Sequence, residues 1–164
     1  MKKINLKNIL IMALALMAVT CTVAAVSADD VSAAANNVQN GTLTLSDLQF
    51  KIPTGFTAIE SDQDNSEAGD AEHMEGTQVD TEVSRDYINA NGEKLDIKVG
   101  TRANSKIDTI NIPGAQKKTI AGKEGFFWTE MDDGRTEYKF VYLQDGKIVK
   151  IVTNNEDVIN HVLS

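Results

Sequence analysis

The chain has 164 residues, of which 41% are hydrophobic, 24% are charged and 5% are aromatic, and its formal net charge is -8. This composition is typical of one soluble globular domain and excludes a disordered chain, a polytopic membrane protein and a strongly basic nucleic-acid binder. One Cys excludes an internal disulfide framework and a Cys-rich zinc site, and two His leave little material for catalytic or metal chemistry.

The first 28 residues have the pattern of a secretory signal. Three lysines and no acid precede an uncharged apolar run over residues 9–25, which ends in the small residues Val26-Ser27-Ala28. A basic start, an apolar centre and a small-x-small exit predict cleavage after Ala28. The protein is therefore expected outside the cytoplasm, either secreted or tethered to the outer face of the cytoplasmic membrane.

Two membrane-bound alternatives stay open for this segment. Residues 9–28 carry no charge and are long enough to cross one bilayer as a helix, so an uncleaved signal anchor would also place the rest of the chain outside. Lipid attachment at Cys21 is disfavoured because Thr20 stands where a smaller residue is expected. Cleavage removes three lysines and the single Cys, which leaves the mature chain more acidic and indifferent to redox conditions.

The mature chain is expected to begin with a flexible leader over residues 29–41 that is rich in Ala, Asn and Ser. Asn40 opens an N-glycosylation sequon, which is either a modified site or a chance tripeptide. Apolar residues at mostly even spacing then predict an extended segment over residues 43–52, with a bend or bulge at Ser46-Asp47 and a turn after Ile52.

Nine acids and no Lys or Arg lie between residues 60 and 82, which predicts a solvated loop over about residues 60–78, with a strand starting near Thr77. The spacing after Asp62 begins like a calcium loop, but Glu67 and His73 stand where an EF-hand needs Gly and a bidentate Glu, so no metal site is predicted. The alternative to a purely solvated loop is a looser calcium site formed by Asp62, Asp64, Asp70 and Glu72.

Three dipeptides predict antiparallel hairpins in the rest of the chain: Asn91-Gly92, Asp133-Gly134 and Asp145-Gly146. Registers that oppose apolar side chains are preferred. Around the first turn, a three-residue loop pairs Tyr87 with Leu95 and Val83 with Val99. Around the third, a two-residue loop pairs Tyr142 with Val149 and Phe140 with Ile151.

Charge decides the loop length predicted for the middle turn, Asp133-Gly134. A two-residue loop would oppose Glu130 to Glu137, and directly opposed like charges are destabilising. A three-residue loop of Asp132-Asp133-Gly134 instead pairs Trp128 with Tyr138. Together, the registers place one set of large side chains on one face of a three-stranded meander: Phe126, Trp128, Tyr138, Phe140, Tyr142, Val149 and Ile151. The opposite face is expected to be half covered and to offer a candidate binding surface that carries Phe127, Val141, Leu143, Ile148 and Val152.

A short helix is expected at the C-terminus. Asn154 or Asn155 can cap it, and the two acids that follow suit the positive end of its dipole. Its apolar stripe consists of Val158, Ile159, Val162 and Leu163. Because a helix of this length is marginal alone in water, it must dock on the sheet.

No catalytic set, cofactor motif or nucleic-acid surface is expected. His73 lies in the acidic stretch and His161 on the polar side of the terminal helix, and neither adjoins a Ser in a strained turn. Residues 121–125 superficially resemble a phosphate loop but lack the Gly-Lys-Ser/Thr ending. The few clustered lysines, at 117, 118 and 123, are expected to balance nearby acids.

Four segments resemble small secreted proteins of unassigned function from methanogenic archaea: Ile52-Pro53-Thr54-Gly55-Phe56, the stretch 119–127, the stretch 140–149, and Asp157-Val158-Ile159. The order of elements over about residues 43–163 is also similar to that of PsbP-like α+β sandwiches. This resemblance implies an α+β fold in an extracytoplasmic setting, and it brings no catalytic or binding residue.

The sequence therefore predicts a single α+β domain over residues 42–164, with an antiparallel sheet of about five to seven strands, a C-terminal meander and a short C-terminal helix packed on the sheet. The expected function is that of an exported, non-enzymatic binding or accessory module of the cell surface, without a cofactor. The acidic charge favours a cationic or basic partner. The alternatives are a carboxylate-dependent hydrolase of surface polymers and a purely structural surface protein.

Overall fold

The computed structural model describes residues 38–39, 41–59 and 72–164. The signal segment with its cleavage site, most of the leader, the Asn40 sequon and residues 60–71 of the acidic stretch lie outside the described residues. Three of the four side chains of the looser calcium site, those of Asp62, Asp64 and Asp70, therefore lie outside them as well, and nothing is described for the side chain of Glu72.

The described residues form antiparallel β-structure with one short helix. The elements are β1 (Val38–Gln39), β2 (Thr42–Leu45), β3 (Leu48–Lys51), β4 (Phe56–Ala58), β5 (Glu72–Met74), β6 (Thr77–Val79), β7 (Thr81–Asn89), β8 (Lys94–Thr101), β9 (Gln116–Ile120), β10 (Lys123–Asp132), β11 (Arg135–Gln144), β12 (Lys147–Thr153) and α1 (Glu156–Leu163). A seven-stranded sheet has the order β4-β7-β8-β12-β11-β10-β9, and smaller sheets are formed by β1-β2-β3 and β5-β6. The prediction of an antiparallel sheet with a short C-terminal helix is confirmed at this level.

Two-residue turns with both residues at positive φ join most neighbouring strands, as right-handed strand twist favours. Ser46 and Asp47 have φ of 45° and 65° and pair Leu45 with Leu48 across a tight hairpin. The expectation of one extended segment with a bend or bulge at this point is therefore wrong. The turn was missed because neither residue is the glycine that normally marks such a conformation.

The main core lies between one face of the large sheet and a layer made of the β2–β3 hairpin and α1. Alternate residues of β7, β8, β11 and β12 supply buried side chains such as Tyr87, Ile97 and Phe140, and the hairpin contributes Leu45 and Phe50. Asn155 caps α1 by accepting a hydrogen bond from the N–H of Asp157 at 3.2 Å. Its apolar stripe then contacts β3, β9 and β12.

A second, smaller core occupies part of the opposite sheet face. Met74 and Val79 from the β5–β6 hairpin and Ile107 from the loop after β8 cover Val141 and Ile148. The acidic stretch thus ends in a packed hairpin, where a loop was expected to continue to about residue 78. Gly100 permits this approach, because a Cβ there would lie 2.7 Å from Val79 and 2.8 Å from Ile148.

The register of the middle hairpin corrects the sequence analysis. Asp133 and Gly134, at φ of 46° and 75°, form a two-residue turn, so Trp128 faces Lys139 and Phe127 faces Phe140. Phe127 therefore packs on the main core, and Trp128 lies on the opposite face with the second core. The other two predicted registers, Tyr87 with Leu95 and Tyr142 with Val149, are confirmed.

Candidate functional site

The β5–β6 hairpin covers only part of the sheet face that carries the second core. The uncovered part of this face forms a cavity of about 670 Å³. We call it the polar cavity and define it by five lining side chains: Asp86, Asp96, Lys98, Lys139 and Lys150. Strand alternation explains why these charges share a face. Residues two apart point the same way, and the apolar partners between them, such as Tyr87 and Ile97, point into the main core.

Two carboxyl groups meet on the wall of the polar cavity. Asp86 of β7 and Asp96 of β8 are direct cross-strand partners in the sheet. The Oδ1 atom of Asp96 is buried and has no hydrogen-bond partner among the described residues. A buried acceptor without a partner is uncommon and costs free energy, which makes this oxygen a candidate contact for a ligand.

The pKa of Asp96 is raised to about 7, from an ordinary value of 3.8. Burial is the largest cause, because it penalises the charged form. The Lys98 ammonium opposes this effect, whereas the Asp86 carboxylate adds to it by repelling a second negative charge and by accepting a hydrogen bond from the protonated Asp96. Asp96 therefore carries its proton below about pH 7 and loses it above that pH.

Each lysine of the polar cavity has a carboxylate partner. Lys98 Nζ lies 3.1 Å from Glu82 Oε1, Lys150 bonds Glu75, and Lys139 contacts two glutamates. Burial alone would lower the pKa of Lys98, but the Asp96 and Glu82 carboxylates outweigh it and the pKa is raised. These three ammonium groups are thus already paired with carboxylates, whereas the buried Asp96 Oδ1 has no partner among the described residues.

The histidines that the sequence analysis weighed and rejected lie elsewhere. His73 is exposed on β5, and His161 is exposed in the last turn of α1. The expected candidate surface around Val141 and Ile148 is buried in the second core, and Phe127 faces the other way. Over residues 38–39, 41–59 and 72–164, no cluster of three or more His, Cys, Asp or Glu could hold a metal ion, and no helix could span a membrane.

The carboxyl pair was missed although its signal was present. The register assigned around Asn91-Gly92, with Tyr87 opposite Leu95, already places Asp86 opposite Asp96. Directly opposed like charges disfavour a register on pairwise rules, so their occurrence in an otherwise well-supported register was the available signal.

No family model, curated protein or solved structure matches this chain. The site is therefore interpreted from its own geometry, and the resemblance to archaeal secreted proteins and PsbP-like domains stays a prediction.

Proposed function

We propose that the protein is an exported, non-enzymatic binding module of the cell surface, built as an α+β domain, and that the polar cavity is its ligand site. The observation that supports this most directly is the unpartnered Oδ1 of Asp96 in the wall of an open cavity. The volume of about 670 Å³ lies within the range of small-molecule sites.

The bonding pattern favours a ligand with a cationic donor. The carboxyl pair can accept hydrogen bonds, and the three lysines that define the cavity are already paired with glutamates. An ammonium group would replace the proton that Asp96 carries below about pH 7 and would supply the missing donor to its Oδ1. The net charge of -8 attracts such a ligand or a basic partner surface from a distance.

Thermal unfolding tests this proposal with putrescine and glucosamine as cationic probes and with glucose as the uncharged counterpart, at constant ionic strength. We expect both amines to raise Tm in a concentration-dependent way, because they bind only the folded protein. The effect should vanish in Asp96→Asn and persist in Asp108→Asn, which lies outside the polar cavity. The proposed ligand site would be overturned if the amines raise Tm equally in the wild type and both variants. It would also be overturned if they raise Tm no more than NaCl does.

Export has its own test. Expression with the native N-terminus, followed by fractionation and mass measurement, should yield a chain that begins at Asp29 outside the cytoplasm. A full-length chain in the membrane fraction would support the uncleaved anchor, and a full-length soluble chain in the cytosol would contradict export.

A carboxylate-dependent hydrolase is the second candidate, and the Asp86–Asp96 pair is the observation that favours it. Two neighbouring carboxyls, of which one has a raised pKa, can divide acid and base roles. However, they are within hydrogen-bonding reach of each other, whereas glycosidases hold theirs at least about 5 Å apart to admit substrate or water. Release of reducing ends from cell-surface polysaccharide, lost in both Asp86→Asn and Asp96→Asn, would favour the hydrolase over the binding module.

A further inference from the structure

A second cavity of about 760 Å³ lies on the same sheet face and is lined by the only Trp of the chain. We call it the Trp128 cavity and define it by Glu75, Asn111, Trp128 and Glu130. It shares none of its lining residues with the polar cavity. We propose that the Trp128 cavity binds a neutral carbohydrate, with a sugar ring stacked on the indole and its hydroxyls bonded to the polar rim.

The indole is held in a fixed orientation. Trp128 Nε1 donates a hydrogen bond to Glu130 Oε1 at 3.0 Å, and Glu130 Oε2 accepts from Lys139 at 2.6 Å. The ring packs on the second core but is only partly buried, so its remaining surface faces the cavity. A pre-positioned indole presents a large apolar surface at little entropic cost, which suits the C–H face of a pyranose.

The charge balance of the cavity favours an uncharged ligand. Glu75 is bonded to Lys150, and Glu130 shares Lys139 with Glu137, so each carboxylate of the cavity already has a cationic partner. Each carboxylate oxygen still has a lone pair for a hydroxyl donor, and the exposed Asn111 amide can both donate and accept. A sugar, with hydroxyls that donate and accept around an apolar ring face, matches this set.

The cavity has open space beside two of its lining glycines. Gly76 and Gly114 line the cavity at turns with φ of 76° and 84°, and a Cβ at either position would meet nothing within 4 Å. Neighbouring side chains therefore leave the cavity unfilled at these two positions. This inference does not depend on the polar cavity being a ligand site.

Intrinsic fluorescence tests the inference directly, because Trp128 is the sole indole in the protein. The full chain is titrated with cellotriose, maltotriose and N,N′,N″-triacetylchitotriose, which are uncharged, with glycerol as the small polyol control. We expect at least one trisaccharide to change the emission of Trp128 with a saturable dependence that glycerol does not reproduce. No saturable change with any of the three would overturn the inference.

Variants locate the binding. Trp128→Phe should weaken trisaccharide binding, measured calorimetrically, by at least about tenfold through lost stacking area. Asn111→Ala should weaken it about fivefold through one lost hydrogen bond, and Asn104→Ala, in the same loop but outside the cavity, should leave it unchanged. Equal affinities of the Asn111 and Asn104 variants would place the sugar elsewhere and overturn the assignment. Asp96→Asn should keep sugar binding, which separates failure of this inference from failure of the polar cavity.

Discussion

Asp96→Asn should stabilise the protein above neutral pH and have little effect in mild acid. The pKa of Asp96 is raised to about 7 in the folded chain, chiefly by burial, against 3.8 as the ordinary value. The stability gained from its protonation is therefore fully present below about pH 4 and is lost as pH rises through about 7. Asparagine has nearly the same shape and stays neutral, so it avoids this loss.

The expected size follows from the pKa difference. The step from 3.8 to about 7 corresponds to at most about 4 kcal/mol. Relaxation around the site reduces this value, so we expect Asp96→Asn to exceed the wild type by about 2–4 kcal/mol at pH 8.5 and to match it within about 1 kcal/mol at pH 4.5.

Urea denaturation, followed by circular dichroism at pH 4.5, 6, 7 and 8.5, measures the free energy of unfolding of the variant and of the wild type. The titration of distant groups cancels when the two values are subtracted at each pH. Asp108→Asn is the matched control, because it is exposed and its difference from the wild type should not change with pH. A stability difference for Asp96→Asn that is constant across this range, or a wild type that is more stable at pH 8.5, would refute the assignment of a buried, protonated Asp96.

Three further outcomes are expected. The putrescine-induced rise in Tm should grow between pH 5.5 and 8, because the ammonium must displace the proton of Asp96, and an effect that is flat with pH would contradict that exchange. Gly125→Ala should lower the free energy of unfolding in urea by about 3 kcal/mol or more, because its Cβ would lie 2.4 Å from the Val141 carbonyl oxygen and 2.8 Å from the Phe140 ring. Gly122→Ala is the control. It should cost only about 1 kcal/mol, because Gly122 has a positive φ but open space around it. Asn155→Ala should cost about 1–2 kcal/mol, since the side chain caps α1 and also donates to Glu93 Oε1 at 2.8 Å, and a loss below a few tenths of a kcal/mol would contradict the cap.

Local sequence patterns were sufficient to predict those elements that depend on one short-range interaction. The hairpins at Asn91-Gly92 and Asp145-Gly146 were predicted in register because a glycine marks each turn and one pairing alone opposes apolar residues. The terminal helix followed from its cap and its apolar stripe in the same way.

The polar cavity and the second core depend on contacts that no local pattern encodes. β8 and β12 are neighbours in the sheet although some fifty residues separate them in the chain, and this pairing brings Lys150 opposite Lys98. The β5–β6 hairpin then covers only part of that face, which turns the uncovered part into a cavity. From the sequence alone, the alternating charges on β7 and β8 are typical of an ordinary solvent-exposed face. Only the pairing with β12 and the position of the β5–β6 hairpin show that they line a cavity.

The middle hairpin shows why a pairwise charge rule failed. Glu130 does lie opposite Glu137, but Lys139 Nζ is 2.6 Å from one and 3.4 Å from the other, so a third residue neutralises the repulsion.

Shape then favours the observed register of this hairpin. The Phe140 ring lies over Gly125, where a Cβ would be 2.8 Å away, and a shift by one residue would turn Gly125 to the other face and bring the Phe126 side chain opposite Phe140. A glycine within a strand of aromatic residues was the signal for a close approach by a neighbouring ring. The same one-residue difference moves Trp128 out of the main core and into the cavity where we propose that it binds a sugar.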